Sequence, residues 1–486
     1  LVNRNLWVYD IETLKSCFTY SAINVDTLEK VKFVLHKDNK FFSYQFDCLI
    51  EHLKECKGQI GFNNLNFDYP IIHWILKNHW GTYNYNSEQD RIDFIHLIYQ
   101  EAQRIIEEQN KPEFNSIVAI PYKEVLIPQL DLFKIWHYNN KARSTGLKAL
   151  EISMNYPNVM EMPIDHTRDD ITLDEIPGIL EYNMNDVLAT FEFYKKSLAK
   201  INLRKSLNQE YNIPCMNWSD SKIGEQLILK LYCDKTERDV WEVKKKRTYR
   251  KSINFKECIL DYIKFESKEF NELLDYFKKQ TITETKGAIA KSVVYEGFKY
   301  DYGTGGIHGC IESGVYESND DYIIIDADVG SLYPNLAIQN NFFIEHLGHD
   351  FVEVYKSIID LRMKAKKAGN MVLSDGFKLA ANSVYGKSND INSFLYDPKF
   401  TMQITLNGQL LLTMLAETLV NAFGTKMQVL QINTDGITVK IPREFVSAYY
   451  ALCRLWEYQT KLNLEYVEYS KMVIRDVYKN IGVLTF

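Results

Sequence analysis

Cysteine is sparse and scattered, eight residues in a chain of 486, and no two of them form a Cys-x-x-Cys pair. That distribution speaks against a zinc ribbon and against a disulfide framework, so the thiols are read as reduced and mostly buried in cores. Long hydrophobic runs are missing as well. None approaches the roughly 18 apolar residues that a membrane helix needs, and the chain opens on Leu1-Val2-Asn3-Arg4 without a basic-then-apolar leader. A soluble, intracellular protein is expected, cytoplasmic, without membrane contact and acting as a monomer. Positive charge is in short supply, with 57 Lys and Arg against 64 Asp and Glu for a net charge of −7. A uniformly basic surface is thereby excluded, and contact with any polyanion must rest on local patches. Repeats and low-complexity tracts are also absent, which sets aside solenoid architectures. What remains is a length suited to several domains and a 46% hydrophobic content that supports real cores.

Three segments in the second half combine a carboxylate or a cation with a defined local geometry. The apolar run Tyr322-Ile323-Ile324-Ile325 leads into Asp326-Ala327-Asp328-Val329-Gly330-Ser331-Leu332-Tyr333-Pro334, which reads as a buried strand ending in an acid and a tight turn into a helix. Ser331 suits the N-cap of a helix from Leu332 to Gln339, and Pro334 falls in its first turn, where a missing N–H does no harm. Exposed amides at such a turn suit a phosphate. The second segment is Lys378-Leu-Ala-Ala-Asn382-Ser383-Val-Tyr385-Gly386. On a helix Lys378, Asn382 and Tyr385 share one face, so a cation, an amide and a ring can together hold a triphosphate, a sugar and a base. The third, Gln431-Ile432-Asn433-Thr434-Asp435-Gly436-Ile437-Thr438-Val439, reads as strand, turn and strand. It carries Asp435 at its tip.

In this order the three segments resemble the A, B and C motifs of family B DNA polymerases, Asp-x-x-Ser-Leu-Tyr-Pro, Lys-x-x-x-Asn-Ser-x-Tyr-Gly and Asp-Thr-Asp. The resemblance implies that Asp328 and Asp435 hold metal with the Val329 carbonyl as an extra ligand. It implies that Ser331, Leu332, Tyr333, Lys378, Asn382 and Tyr385 bind the incoming dNTP, with Tyr333 blocking a ribose 2′-hydroxyl. Two Mg²⁺ ions, or Mn²⁺ in their place, roughly 3.5–4 Å apart would activate a 3′-hydroxyl and stabilise the transferred phosphoryl. Because Mg²⁺ takes only one or two protein carboxylates, two acids are enough. The C motif departs from the pattern, since Asn433 stands where the family has its first Asp. Asn433 still offers a neutral oxygen, so weakened metal affinity or a changed metal preference is the most that is expected. Asp326 lies on the same strand face as Asp328 and either supplies the missing charge or is an ordinary solvated or salt-bridged residue. Arg362, Lys366 and Lys367, on a helix expected from about Phe351 to Lys367, are candidates for the triphosphate, or form an exposed basic face.

The first half carries a second set of acids. Trp7-Val8-Tyr9-Asp10-Ile11-Glu12-Thr13 alternates as a strand does, which puts Asp10 and Glu12 on one side. Asn64-Leu-Asn-Phe67-Asp68 adds a third acid, and Tyr182-Asn-Met-Asn-Asp186 sets a phenol and a fourth acid one helical turn apart. Four carboxylates from three distant segments can converge only around metal, since bare buried anions repel and become protonated. These segments resemble the three motifs of the DEDD-type 3′→5′ exonuclease that precedes the polymerase in family B. In that resemblance Asp10, Glu12, Asp68 and Asp186 hold two metal ions and Tyr182 orients the attacking water. Thr13, Asn64 and Phe67 contact the frayed single strand.

Weaker features accompany these. Asp131 lies between the second and third exonuclease motifs and is read as supporting rather than catalytic. Tyr302-Gly303-Thr304-Gly305-Gly306 resembles the Tyr-x-Gly-Gly element between the two active sites, whose glycines let backbone approach a template phosphate. Gly305 and Gly306 are therefore candidate DNA contacts, unless the segment is an ordinary turn. Lys479 follows a loose match to the family's Lys-x-Tyr element at the primer. The run Lys244-Lys245-Lys246-Arg247-Thr-Tyr249-Arg250-Lys251 is either a nucleic-acid patch or a solvated charge run.

The readings predict an α/β and α+β multidomain fold. An RNase H-like exonuclease domain over residues 1–200 is followed by a mostly helical connector over 201–300. A right-hand polymerase then has its palm at 301–342 and 387–486 and helical fingers at 343–386. A helix near Phe400 to Ala422 is expected beneath the catalytic hairpin. Few residues follow the C motif, so the thumb is expected to be short or absent, as in a compact, bacteriophage-like member. Partners implied are primer-template DNA, a single-stranded 3′ end, dNTPs and a replication or processivity factor, in viral DNA replication in the host cytoplasm. Two other readings stay open: a chain that mainly degrades 3′ ends, its polymerase site weakened by Asn433, and a DNA-binding replication scaffold.

Overall fold

The computed structural model describes residues 5–78, 85, 87–111, 119–140, 144–476 and 479–484. The chain divides into two compact units, Leu1–Lys222 and Ile223–Phe486. No disulfide links any of the eight cysteines, and no helix among the described residues is long and apolar enough to cross a membrane.

The first unit is built on a five-stranded sheet in the order β3-β2-β1-β4-β5. Its strands are β1 (Leu6–Leu14), β2 (Cys17–Asn24), β3 (Lys30–His36), β4 (Gly58–Gly61) and β5 (Gln129–Asp131). The first three pair antiparallel, while β4 and β5 run parallel to β1. Every residue of β2 is buried, the pattern of a strand covered on both faces. Helix α1 (Asp68–Asn78) follows the turn after β4. Helix α2 (Ile176–Lys196) begins beside a capping box between Thr172 and Glu175 and lies against β1 and β2. Its buried Val187, Phe191 and Phe193 join Val8, Ile60 and Leu132 in one core. The polar positions of β1 and α2 are thereby held at the sheet.

The second unit has a nine-stranded sheet. In chain order its strands are β6 (Ala290–Tyr295), β7 (Phe298–Gly303), β8 (Gly306–Cys310), β9 (Gly314–Glu317), β10 (Tyr322–Val329), β11 (Gln428–Asn433), β12 (Gly436–Pro442), β13 (Leu464–Asp476) and β14 (Lys479–Leu484). Their spatial order is β9-β13-β10-β12-β11-β8-β7-β6, with β14 paired to β13. The sheet therefore starts at Ala290, ahead of Tyr302, near which the palm is expected to begin, while the segment before it is mainly helical. Central strand β10 carries Ile323, Ile324 and Ile325, all buried, and is flanked by β12 and β13. Between β10 and β11 run helices α3 (Leu332–Gln339), α4 (Asp350–Lys367), α5 (Met371–Ser388) and α6 (Pro398–Phe423). The expected helices over Phe351–Lys367 and Phe400–Ala422 are thus present. Helix α6 starts on Asp397, whose side chain accepts from Lys399 N, with Pro398 in the first turn. Its long buried stripe packs against α3 and against β8 and β12 of the sheet.

Candidate functional site

In the first unit Asp10 and Glu12 project from one face of β1, and Asp186 comes from α2. One carboxylate oxygen of each lies within 4.8 Å of the others. Asp68 opens α1 outside that group of three, with its charge acting on both Asp10 and Glu12. Burial, reinforced by the charges of Asp68, Glu12 and Asp186, raises Asp10 well above the ordinary carboxyl range. Glu12 rises through burial and the charges of Asp186 and Asp68, and burial pushes Asp68 up to about 7. Acids that resist ionising together form the donor set of a hard cation, whose charge removes the repulsion. These residues fit a divalent ion. Tyr182 stands half-buried one turn before Asp186, and burial together with the charges of Asp186 and Glu12 raises its hydroxyl, which stays a neutral phenol.

Three neighbours of this cluster escaped the sequence reading. Lys148 Nζ lies 2.5 Å from Asp186 Oδ1, 3.4 Å from Glu151 and 4.7 Å from the centre of the Tyr182 ring. Burial lowers the lysine, but the hydrogen bond and charge of Asp186 outweigh it, so the ammonium is held. Asn183 Nδ2 donates to Asp10 Oδ2 at 2.7 Å. The available signal was Lys148 and Glu151 at i, i+3 on a short helix capped by Gly146.

One expectation for the strand-binding residues is altered. Asn64 is fully buried, its Nδ2 donating to Gln129 at 2.8 Å, so its side chain faces the core and not a single strand. Phe67 is half-buried against the same core, and Thr13 is half-exposed near the end of β1. Asp131 is buried and accepts from the backbone of Asn63 at 3.0 Å and Leu65 at 3.3 Å. It holds the loop that delivers Asp68, which agrees with a supporting role.

In the second unit the acids meet at the ends of β10 and the β11–β12 hairpin. Asp328 pairs in register with Gly436 on one side and Glu465 on the other. The Val329 amide donates to the Asp435 carbonyl at 2.7 Å, clamping strand end to hairpin tip. At that tip Thr434 adopts a left-handed φ of 49°, the kind of backbone strain found where a site dictates geometry. Partial burial and the charges of Asp326, Asp435 and Glu465 push Asp328 up to about 7; Asp326 and Asp435 are both raised, chiefly by burial. This donor set too fits a divalent cation. Glu465 is a third acid that no motif marked, because only the pairing of β13 with β10 brings it to Asp328.

A cavity of about 440 Å³ opens beside these acids. Arg362, Lys378, Asn382, Tyr385, Tyr333 and Ser331 line it together with Asp328, Val329 and Asp435. Lys366 and Lys367 are exposed further along α4 and do not line it. Leu332 also lines it but is only 3% exposed. Ser331 does not cap α3 with its side chain. It sits at φ 50°, and its Oγ accepts from Arg362 at 2.7 Å.

The glycine-rich segment supports the two tyrosines. Tyr333 donates to the Gly305 carbonyl at 2.9 Å and Tyr385 to the Thr304 carbonyl at 3.1 Å. Gly306 is buried at φ 150°, where a Cβ would press on Thr434 at 3.2 Å. Gly306 therefore packs against the hairpin tip, whereas Gly305 is exposed. The two arginines of the basic run are held by structure, while Lys245 and Lys251 are exposed. Arg250 pairs with Asp397 at 2.8 Å and Glu345 at 2.6 Å, and Arg247 donates to the carbonyls of Ile391 at 3.2 Å and Asn392 at 2.7 Å. Lys479 opens β14, and its side chain lies outside the described residues.

No family model matches the chain, and no curated protein matches it in sequence. Its fold does match solved structures. It is similar to the family B DNA polymerase from the hyperthermophilic archaeon Pyrobaculum calidifontis, with a TM-score of 0.51 and 13% identity, over 99% of this chain and 58% of that one. The chain thus spans less than two thirds of that polymerase, and its fold is family B polymerase-like.

Proposed function

We propose that the chain is a template-directed DNA polymerase that extends a primer 3′ end with dNTPs, and that its first unit is a 3′→5′ proofreading exonuclease. The observation that carries this reading is one cavity lined from three distant segments, by Asp328, Asp435 and the face of α5 that bears Lys378, Asn382 and Tyr385. Asp328, Asp435 and the Val329 carbonyl in one site, and Asp10, Glu12, Asp68 and Asp186 in the other, would hold two Mg²⁺ or Mn²⁺ ions each, which when bound would supply an activated oxygen nucleophile and charge stabilisation on the phosphoryl group. Lys378 and Arg362 neutralise the triphosphate, and the Ser331 hydroxyl is freed for it when Arg362 turns to phosphate. Tyr385 and Asn382 flank sugar and base. Tyr333, its ring 4.3 Å from that of Tyr385 and its hydroxyl tied to Gly305, forms a wall where a 2′-hydroxyl would stand. In the exonuclease Tyr182 orients water, Lys148 steadies Asp186, and Thr13 and Phe67 meet the frayed strand. Gly305 approaches the template and Lys479 the primer.

The setting proposed is viral DNA replication by a monomer in the host cytoplasm, with a partner for processivity. Asn433 favours a second reading, in which degradation of 3′ ends dominates and synthesis is weak. A labelled primer on a longer template, with Mg²⁺ and with or without all four dNTPs, separates them. Extension with dNTPs and shortening without them is expected. Shortening under both conditions would leave only the exonuclease.

A further inference from the structure

Asp328 and Asp435 stand between two cavities. The smaller one, of about 160 Å³, lies on the side away from Lys378 and Arg362 and is lined by Asp326, Gln431, Asn433 and Asn480 as well as by the two acids. Its volume admits a few water molecules. Its walls are polar but carry a single additional charge, that of Asp326, since Asn433, Gln431 and Asn480 offer only amides. Among the described residues no Lys, Arg or His forms an ion pair with Asp326. Its partners are the Thr438 hydroxyl, which donates at 2.6 Å, and the Tyr469 hydroxyl at 3.5 Å. Thr438 is 4% exposed and is the direct cross-strand neighbour of Asp326. The carboxylate is thus fixed from β12 while its charge is left uncompensated two residues from Asp328, on the same strand face. An anion in this position repels its neighbouring acids and costs free energy unless a cation is near.

We infer that Asp326 is a positioning residue of the polymerase metal site: fixed by Thr438, it faces the small cavity and strengthens the hold of Asp328 and Asp435 on a divalent cation. It stands two residues, roughly 6.6 Å, along the strand from Asp328. Mg²⁺ keeps several waters when bound by protein, and a carboxylate that accepts hydrogen bonds from such waters changes metal affinity by about 10–100-fold. Asn433 faces the same cavity from the hairpin. A charge moved from position 326 to position 433 therefore stays within it.

This inference rests on the reading of Asp328 and Asp435 as metal-holding residues, and its test separates the two. Mn²⁺ binding to the full chain is followed by the electron paramagnetic resonance of free Mn²⁺, in an Asp10→Ala, Asp186→Ala background that weakens the other acid cluster. Asp326→Asn keeps the shape and the acceptor for Thr438, and is expected to weaken Mn²⁺ binding about tenfold or more. Asn433→Asp alone is expected to tighten it, and Asp326→Asn with Asn433→Asp to return it to within about threefold of the parent. Unchanged binding in Asp326→Asn, or a double variant as weak as the single one, overturns the inference while Asp328→Ala still abolishes binding. If Asp328→Ala itself leaves Mn²⁺ bound, the reading of the site falls, and the role of Asp326 with it. A purely structural Asp326 would lower the melting temperature without rescue by Asn433→Asp.

Discussion

Gly436 is the position where the site around Asp328 has no tolerance for a side chain. A methyl group there would stand 1.7 Å from Asp328 Oδ1, 2.9 Å from its Cγ and 3.1 Å from the Ala327 carbonyl oxygen. Non-bonded heavy atoms rest at roughly 3.5 Å, so in Gly436→Ala the Asp328 carboxylate must retreat by about 1.5 Å or more. The carboxylate is the free end of a side chain and yields before the paired backbone of β10 and β12. The cost in stability is then that of modest overpacking, about 1–3 kcal/mol. The cost in chemistry is larger, because a displacement of about 1 Å in a positioned group lowers rate by about a hundredfold, equivalent to about 2.7 kcal/mol in the barrier. Single-nucleotide incorporation on a labelled primer-template, in an Asp10→Ala background that stops degradation, measures the loss. Degradation by Gly436→Ala in the otherwise unaltered chain is the internal control and should be unchanged. Incorporation within about threefold of the parent would refute the view that the hairpin glycine sets the place of Asp328.

Three other outcomes are expected. Asp10, Glu12 and Asp68 have raised values in the folded chain, so their contribution to stability is full below the unfolded value near 4 and is lost as pH rises through the folded values, about 7 for Asp68. The metal-free protein should therefore melt lower at about pH 8 than at about pH 5 and regain stability with Mg²⁺ at the higher pH; equal melting temperatures would contradict the acid cluster. Lys148→Met removes the cation beside Asp186 and should slow degradation of a single-stranded 3′ end by one to two orders of magnitude, leaving primer extension intact. A normal degradation rate would show that Lys148 only decorates the site. Tyr333→Val removes the ring and its bond to Gly305 and should raise the ratio of kcat/KM for a ribonucleotide over a deoxyribonucleotide at least about tenfold, and an unchanged ratio would reject Tyr333 as the wall.

Much of the site is legible in sequence because it is built from local periods. A run of Ile323, Ile324 and Ile325 before Asp328 makes a central strand with an acid at its end, whatever lies beside it. Lys378, Asn382 and Tyr385 share a face because helix geometry leaves no other arrangement, and Asp10 and Glu12 share a side because strand geometry alternates. The long helix Pro398–Phe423 is announced by its apolar stripe and the Asp397-Pro398 start. What those periods do not contain is which distant segment lies opposite. Glu465 reaches Asp328 only through the register of β13 on β10, and Lys148 reaches Asp186 only through the packing of a short helix on α2. Nor do the motifs of Asn64 and Gly306, which suggest strand contact, contain the burial of Asn64 in the core and of Gly306 against the hairpin tip. Ser331 is the clearest instance. Its type suits a helix cap, but the turn drives it to φ 50° and Arg362 takes its hydroxyl. Sequence by itself determined which groups are offered and on which face of their own element; tertiary structure decided which charges meet, because Coulomb forces and burial depend on distances between segments that no local spacing encodes.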